Sequence, residues 1–329
     1  MLLLYCQSET GADIRYVLRK QSTSPIFQHP DIVREFNIVR ALGQAGAVPT
    51  PTMRWVEPDP AILGAPFLIM DFVDGFAPLG KPSMHVAGPL PALTEAVRAR
   101  MGQSGIEALA AIHRTDWRRT LPFLQASTGQ ALDEHLDRLG AYYRWAAEGS
   151  SYPITDAALA YLFAQGRALD PGPPCLIWND ARVGNILFTP QGDVAAIIDW
   201  EVAGVGPAAI DLGFWMMMEA FHSDAVGVAP LPGWPSRAAL IDCYRAAGGD
   251  VPDNLDYCII MAALFMATTL VRQERIEVAD GRLQSGSTLG RANTATQILA
   301  MRLGLPVPDL SPDYTARRGL PAGTRPRER

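Results

Sequence analysis

Cysteine is scarce, and no two of Cys6, Cys175, Cys243 and Cys258 form a CxxC pair. Four isolated thiols fit reduced side chains in the cytoplasm. A basic block is also missing: 28 Lys and Arg stand against 34 Asp and Glu, a formal charge of −6. That balance argues against a nucleic-acid partner. The apolar start Met1-Leu2-Leu3-Leu4-Tyr5 lacks a basic n-region and is too short for a signal peptide. No apolar run reaches the ~20 residues that span a bilayer. The longest, Cys258 to Val271, contains Thr268 and Thr269 and reads as a buried helix, so no membrane partner is expected. No internal repeat is visible. What remains is a chain of 329 residues, 48% of them hydrophobic, a length that suggests roughly two domains with filled cores.

The informative stretch is Trp178-Asn179-Asp180-Ala181-Arg182-Val183-Gly184-Asn185, followed by Ile197-Ile198-Asp199-Trp200-Glu201. Ile186-Leu187-Phe188 reads as a strand, Thr189-Pro190-Gln191-Gly192-Asp193 as a turn, and Val194 to Ile198 as the returning strand. Such a hairpin brings Asn185, at its entry, beside Asp199, at its exit. An Asn oxygen and a carboxylate would then converge as oxygen ligands for a hard cation such as magnesium. Asp180, five residues before Asn185, supplies a carboxylate able to position a substrate hydroxyl, the layout of a kinase-type phosphoryl-transfer site. The bland alternative is that Asp, Asn and Gly stand at strand ends because turns favour them. A metal-dependent hydrolase built on Asp180 and Asp199 lacks a supporting His or Glu cluster.

The segment resembles the catalytic core of the aminoglycoside phosphotransferase family, usually His-Gly-Asp, four residues, Asn, then a strand pair ending in Ile-Asp-Trp-Glu. The likeness continues through Gly206-Pro207 and Ile210-Asp211-Leu212. Asp199-Trp200-Glu201 and Val17-Leu18-Arg19 lean toward the branch related to acyl-CoA-dehydrogenase-linked phosphotransferase domains. The resemblance implies an α+β, protein-kinase-like fold of two lobes. A small β-rich N-lobe (residues 1–74) would bind ATP, and a larger helical C-lobe (75–309) would carry the catalytic and metal loops. It implies Asp180 as the catalytic residue, and Asn185 and Asp199 as ligands of Mg2+. Arg19 would meet the phosphates, partnered by Glu35, and the Met70, Asp71 and Val73 backbone would meet adenine. Lys20 competes with Arg19, and since neighbouring strand residues face opposite ways only one can reach the phosphates; Arg19 is preferred. Asp211 is expected to be structural, accepting hydrogen bonds from the catalytic-loop backbone. Glu201 is either a neighbour of the metal or a contact to substrate.

Two departures stand out. Trp178-Asn179 replaces the His-Gly pair, so Trp178 would hold the loop by packing and its single indole donor. No glycine precedes Gly11, so the family's phosphate-covering turn is absent and a raw sheet edge is expected at the N-terminus, from a downstream start or a truncated lobe.

Elsewhere, Met1 to Cys6 and Ile14 to Arg19 read as strands around a Ser8-Glu9-Thr10-Gly11 turn. Asp31 reads as the N-cap of a helix stopped by Gly43 and Gly46, and Phe67 to Met70 as a buried strand. Ala92 to His113 reads as helical around a Gly-Gln-Ser break, with His113 a core residue. Gln130 to Ala147, Ser236 to Ala247, Asn254 to Ile276 and Ser285 to Leu303 are further helix candidates. Residues 310–329, rich in Pro, Arg and Gly, read as a mostly disordered tail. The expected activity is transfer of the ATP γ-phosphate to a hydroxyl of a small molecule: aminoglycoside-like, choline-like or hydroxyacyl-type. Glu219, Asp224, Asp242 and Asp250 are either the lining of a pocket for a cationic acceptor or surface charges. The alternative is a non-catalytic nucleotide- or metabolite-binding protein on the same fold. No oligomeric state is implied.

Overall fold

The computed structural model describes residues 1–7, 10–124, 131–166, 172–321 and 323–327. The first part is a sheet with one helix. Strands β1 (Leu2–Gln7) and β2 (Asp13–Lys20) form an antiparallel hairpin, though Ser8 and Glu9 of its expected turn lie outside the described residues. Helix α1 (Ile32–Ala45) follows, then β3 (Met53–Glu57) and β4 (Phe67–Asp71), and the strands run β1-β2-β4-β3 across the sheet. Strand β1 is an edge, and its Leu2 and Tyr5 are 61% and 76% exposed. Asp31 caps α1 by accepting from the Arg34 amide at 2.9 Å, satisfying one of the free donors of the first turn. Gly46, not Gly43, ends the helix, in the left-handed region at φ 62°. The helix buries Ile32, Phe36, Val39 and Leu42 of the apolar spacing read from the sequence, and Ile38 besides, while Val33 of that spacing is only half-buried.

The larger part is helical. It comprises α2 (Glu95–His113), α3 (Trp117–Thr120), α4 (Ala131–Ala147) and α5 (Pro153–Gly166), then strands β5 (Pro174–Ile177), β6 (Ile186–Phe188), β7 (Val194–Ile197) and β8 (Gly204–Pro207). Helices α6 (Ala208–His222), α7 (Arg237–Ala246), α8 (Leu255–Ala279), α9 (Thr294–Leu303) and α10 (Pro312–Arg318) complete it. Helix α8 is long and apolar enough to cross a membrane by length and composition. It is instead largely buried, packed against α4, α5, α6 and α9 at the centre of the core.

Several boundaries differ from those read in the sequence. Helix α2 runs unbroken through Gly102-Gln103-Ser104. The small residues there serve contact: a side chain on Gly102 would meet Pro235, and Ser104 Oγ donates to the Gly192 carbonyl at 2.7 Å. Helix α9 starts at Thr294, because Asn293 and Thr296 form a reciprocal capping box. Gln130, where α4 was expected to begin, lies outside the described residues. The expected disordered tail instead carries α10. Tyr314 is 1% exposed and donates to Thr294 at 2.9 Å, and Arg317 pairs with Glu277 at 2.6 Å. Ala322, Glu328 and Arg329 of that tail lie outside the described residues.

Candidate active site

Strands β6 and β7 pair antiparallel with Ile186 opposite Ile197, as the turn chemistry between them requires. The Ile198 amide donates to the Asn185 carbonyl at 3.0 Å, closing the hairpin with Asn185 and Asp199 at its open end. A short 3-10 turn over Val183–Asn185 carries the chain from Asp180 to β6. Within it Asn185, 5% exposed, donates its amide nitrogen to Asp180 Oδ2 at 2.6 Å and to the Asp180 carbonyl at 3.2 Å. That leaves the Asn185 side-chain oxygen as the atom available to a cation. Arg182 Nε lies 3.0 Å from Asp180 Oδ1. Burial, opposed by Arg182, holds the Asp180 carboxyl above the usual carboxylate range, with Asp199 adding to the upward shift.

The loop holding Asp180 is tied at three points. The Trp178 and Asn179 amides donate to the two oxygens of Asp211, at 2.6 and 2.7 Å. Asp211 is fully buried and also meets His113 Nε2 at 3.2 Å, while His113 Nδ1 meets the Tyr244 hydroxyl at 2.6 Å. Asp211 thus braces the loop backbone, and His113 braces Asp211. Trp178 is fully buried, packs against Trp200 at a centroid distance of 5.9 Å, and donates its indole N–H to the Asp199 carbonyl at 3.0 Å. Asn179 takes a positive φ of 66° and donates to the Val202 carbonyl at 2.9 Å.

The smaller sheet closes over this loop. Arg19 on β2 faces the cleft; Lys20, the next residue, is exposed. Arg19 pairs with Glu35 of α1 and reaches Glu201 at 3.0 Å and Asp199 at 3.4 Å. One guanidinium therefore sits among three carboxylates. Burial pushes the Glu35 carboxyl up to about 7 against the pull of Arg19. Burial likewise raises Glu201, again opposed by Arg19. Glu201, which the sequence could not place, is thus a partner of Arg19, a contact made only when the two parts of the chain pack together.

A cavity of about 250 Å³ opens between Arg19, Glu35, Val39, Leu68, Met70 and Asp199. Met70 forms part of its wall. Asp71, at the end of β4, has its carboxylate held by a two-pronged contact from Arg54, at 2.6 and 2.7 Å, and its amide donates to the Thr52 carbonyl. Val73 follows on the connecting segment, which then pairs with β6 through reciprocal Phe76–Phe188 backbone bonds. Of the four acids considered as a cationic-acceptor lining, Glu219 faces a cavity beside Arg182, Val183 and Gly184. Asp242 pairs with Arg245 at the surface, and Asp250 lines a separate cleft with His113 and Tyr244.

Among the described residues no group of three or more His, Cys, Asp or Glu side chains is arranged to hold a metal by itself. The donor set nonetheless fits magnesium. Asp199 takes a positive φ of 64°, and its Oδ1 is a buried oxygen whose one ion-pair partner among the described residues is Arg19, at 3.4 Å. A carboxylate and an amide oxygen, completed by substrate phosphates and water, are what magnesium ordinarily accepts.

The fold and cleft define a two-lobed molecule of the protein-kinase type. The chain belongs to the phosphotransferase enzyme family, whose model matches residues 5–251. Over 209 residues it is 30% identical to mouse acyl-CoA dehydrogenase family member 10; the match covers 62% of this chain and 18% of that protein, so the chain spans less than a fifth of that relative. Among solved structures it resembles a Ralstonia eutropha protein assigned as an aminoglycoside phosphotransferase, with a TM-score of 0.67 and 22% identity over 92% of this chain and 90% of that one. It also resembles the choline kinase LicA of Streptococcus pneumoniae, with a TM-score of 0.58 and 12% identity over 92% and 89%. At these identities the structural likeness concerns the fold.

Proposed function

We propose that this chain transfers the γ-phosphate of ATP to a hydroxyl group of a small molecule. The carrying observation is a chain of contacts: Asn185 donates to Asp180, the Asp180 and Asp199 carboxylates lie close enough to interact electrostatically, and Asp199 shares the wall of one cavity with Arg19. Residues 1–74 act as the nucleotide-binding lobe and 75–309 as the lobe bearing the catalytic and metal loops. Asp180 orients the acceptor hydroxyl and takes its proton; a carboxyl raised by burial is better matched to that task than an exposed one. Asn185 and Asp199 hold Mg2+, which when bound neutralises charge developing on the phosphates. Arg19 steadies the phosphates and is itself aimed by Glu35 and Glu201. The Met70–Val73 backbone meets adenine. Positioning and charge stabilisation supply most of the acceleration.

The acceptor is aminoglycoside-like, choline-like or hydroxyacyl-type. The name of the mouse relative, an acyl-CoA dehydrogenase family member, favours the acyl-bearing one of the three. A cytoplasmic location fits the four free cysteines.

Titration calorimetry tests the nucleotide and metal. ATP should bind more tightly with magnesium than with a chelator, and Asp199→Ala should erase the difference. Equal ATP affinity with and without magnesium in the unaltered chain rejects the metal site.

A further inference from the structure

A second cavity, of about 290 Å³, lies against the loop that follows Asp180, for Arg182, Val183 and Gly184 form part of its wall. Its size is near the lower end of small-molecule pockets, about 300–1,000 Å³. Most of its remaining surface is apolar, from Met84, Trp215, Met218, Phe221, Met266 and Leu270. The charged side chains are of nearly one sign. Lys81, Arg182, Arg317 and Arg318 all line it, against one carboxyl, Glu219.

The cations differ in how far they are already answered. Arg182 lies 3.0 Å from Asp180, and Arg317 pairs with Glu277 at 2.6 Å. Among the described residues neither Lys81 nor Arg318 forms an ion pair. Arg318 donates to the Pro82 carbonyl at 2.7 Å, its guanidinium carbon lies 5.2 Å from the Phe221 ring centroid, and its buried Nε has no hydrogen-bond partner. Glu219 offers little compensation. It accepts from Trp234 Nε1 at 2.8 Å, and burial pushes its carboxyl up to about 7, so near neutral pH it is only partly ionised. His222, also in the wall, is held neutral by burial, its pKa lowered to about 3. A cationic acceptor would enter this pocket against its charge, whereas an anion would offset it.

We propose that this cavity is the acceptor pocket and that it selects an anionic acceptor with an apolar body: a hydroxylated aliphatic chain ending in a carboxylate or a phosphate. The assignment rests on the phosphotransferase reading above and narrows it, setting aside the aminoglycoside-like and choline-like acceptors. Helix α10 is then part of the pocket, since Tyr314, Arg317 and Arg318 form one wall. Lys81 and Arg318 are the anion-recognising residues.

Three probes share one chain and one hydroxyl and differ in the far end: ω-hydroxydecanoate, decanediol monophosphate and ω-aminodecanol. Each is titrated calorimetrically into the full chain, its Lys81→Ala variant and its Arg318→Ala variant, the variants first checked for an unchanged circular dichroism spectrum. ADP release with Mg-ATP is measured in parallel. At least one anion should bind, with ω-aminodecanol about tenfold weaker or more, and each variant should cost the anion about tenfold without weakening the amine, as expected when one charged contact is lost. The tighter of the two anions identifies the terminal group. If Arg318→Ala fails to fold, the exposed Lys81 carries the comparison alone. Failure of both anions to bind, equal or tighter binding of ω-aminodecanol, or anion binding unmoved by the folded variants overturns the proposal. The two readings separate cleanly. An anion that binds through Lys81 and Arg318 without raising ADP release keeps the anion site, and counts against phosphotransfer and so against the acceptor role. ADP release that favours the amine keeps phosphotransfer and removes the assignment.

Discussion

The indole N–H of Trp178 donates to the backbone carbonyl of Asp199 across 3.0 Å. Trp178 opens the loop that carries Asp180, and Asp199 closes the hairpin that carries Asn185, so one hydrogen bond joins the two halves of the site. The tether helps to hold Asp199 at its positive φ of 64°, a conformation that is uncommon for a residue with a Cβ, though Asp tolerates it better than most. The Trp178-Asn179 pair, which departs from the His-Gly pattern of the family it resembles, therefore still anchors the loop, through a donor on a larger and fully buried ring.

Replacing Trp178 by Phe keeps a ring in place and removes the donor. The Asp199 carbonyl then loses its partner, at a cost of about 1–3 kcal/mol in unfolding free energy. Magnesium-dependent ATP affinity should fall as well, since Asp199 is no longer held. Urea unfolding and calorimetry on the same preparation measure both. A variant with wild-type stability and affinity shows that the indole donor contributes nothing.

The second prediction concerns the core beneath the site. Gly213 of α6 lies so close to α8 that an added Cβ would come within 2.6 Å of the Cys258 backbone carbon and 2.8 Å of its carbonyl oxygen. Backbone cannot swing aside as a side-chain tip can, so Gly213→Ala should force the helices apart and destabilise by about 1–3 kcal/mol. Thermal unfolding checks it, and an unchanged or raised Tm contradicts the close packing described.

Glu219 gives a pH signature. Its carboxyl is raised by burial to about 7 from an ordinary value of 4.5. Between those two values the folded chain keeps a proton that the unfolded chain has released. Stability from this group is therefore greatest at the acid end and is lost as pH rises toward 7. Glu35 shifts in the same direction, so the comparison must be with a variant. Glu219→Gln should flatten the decline in unfolding free energy between about pH 5 and about pH 8, read from urea titrations. Parallel curves for the two proteins remove Glu219 as a buried acid.

The parts of this fold legible in the sequence are those encoded locally. The β6–β7 hairpin follows from Thr189-Pro190-Gln191-Gly192-Asp193, and α1 from Asp31 and an apolar stripe. Strand β3 escapes notice because it follows closely on Pro49 and Pro51 and leaves Trp55 58% exposed. Helix α5 escapes because Ala, Leu, Tyr and Phe occupy nearly all its faces, which erases the period of an amphipathic helix. Helix α10 has the composition of a tail and is ordered by contacts to Thr294 and Glu277, which no local pattern announces. The site divides in the same way. Asp180, Asn185 and Asp199 stand within one short stretch and declare themselves. The roles of Glu201 beside Arg19, and of Arg318 beside the Asp180 loop, depend on residues far apart in the chain.

The last prediction tests the role proposed for Asp180. If its carboxylate orients the acceptor hydroxyl and takes its proton without binding the metal, Asp180→Asn should leave Mg-ATP affinity nearly intact. The amide has the size of the carboxylate and retains an oxygen that can accept from Asn185, so the loop should keep its shape, braced as it is by Asp211. What it loses is the charge that attracts the proton. Phosphoryl transfer should then drop by about 10²–10⁴-fold, the range a general base contributes. The acceptor is first found by ADP release across aminoglycosides, choline-like amines, hydroxyacyl-CoA thioesters and the aliphatic probes above. With an acceptor in hand, wild-type turnover in Asp180→Asn rejects the assigned role. If no acceptor raises ADP release, the non-catalytic binding reading replaces the enzyme. A loss of Mg-ATP affinity matching that of Asp199→Ala moves Asp180 into the metal site instead.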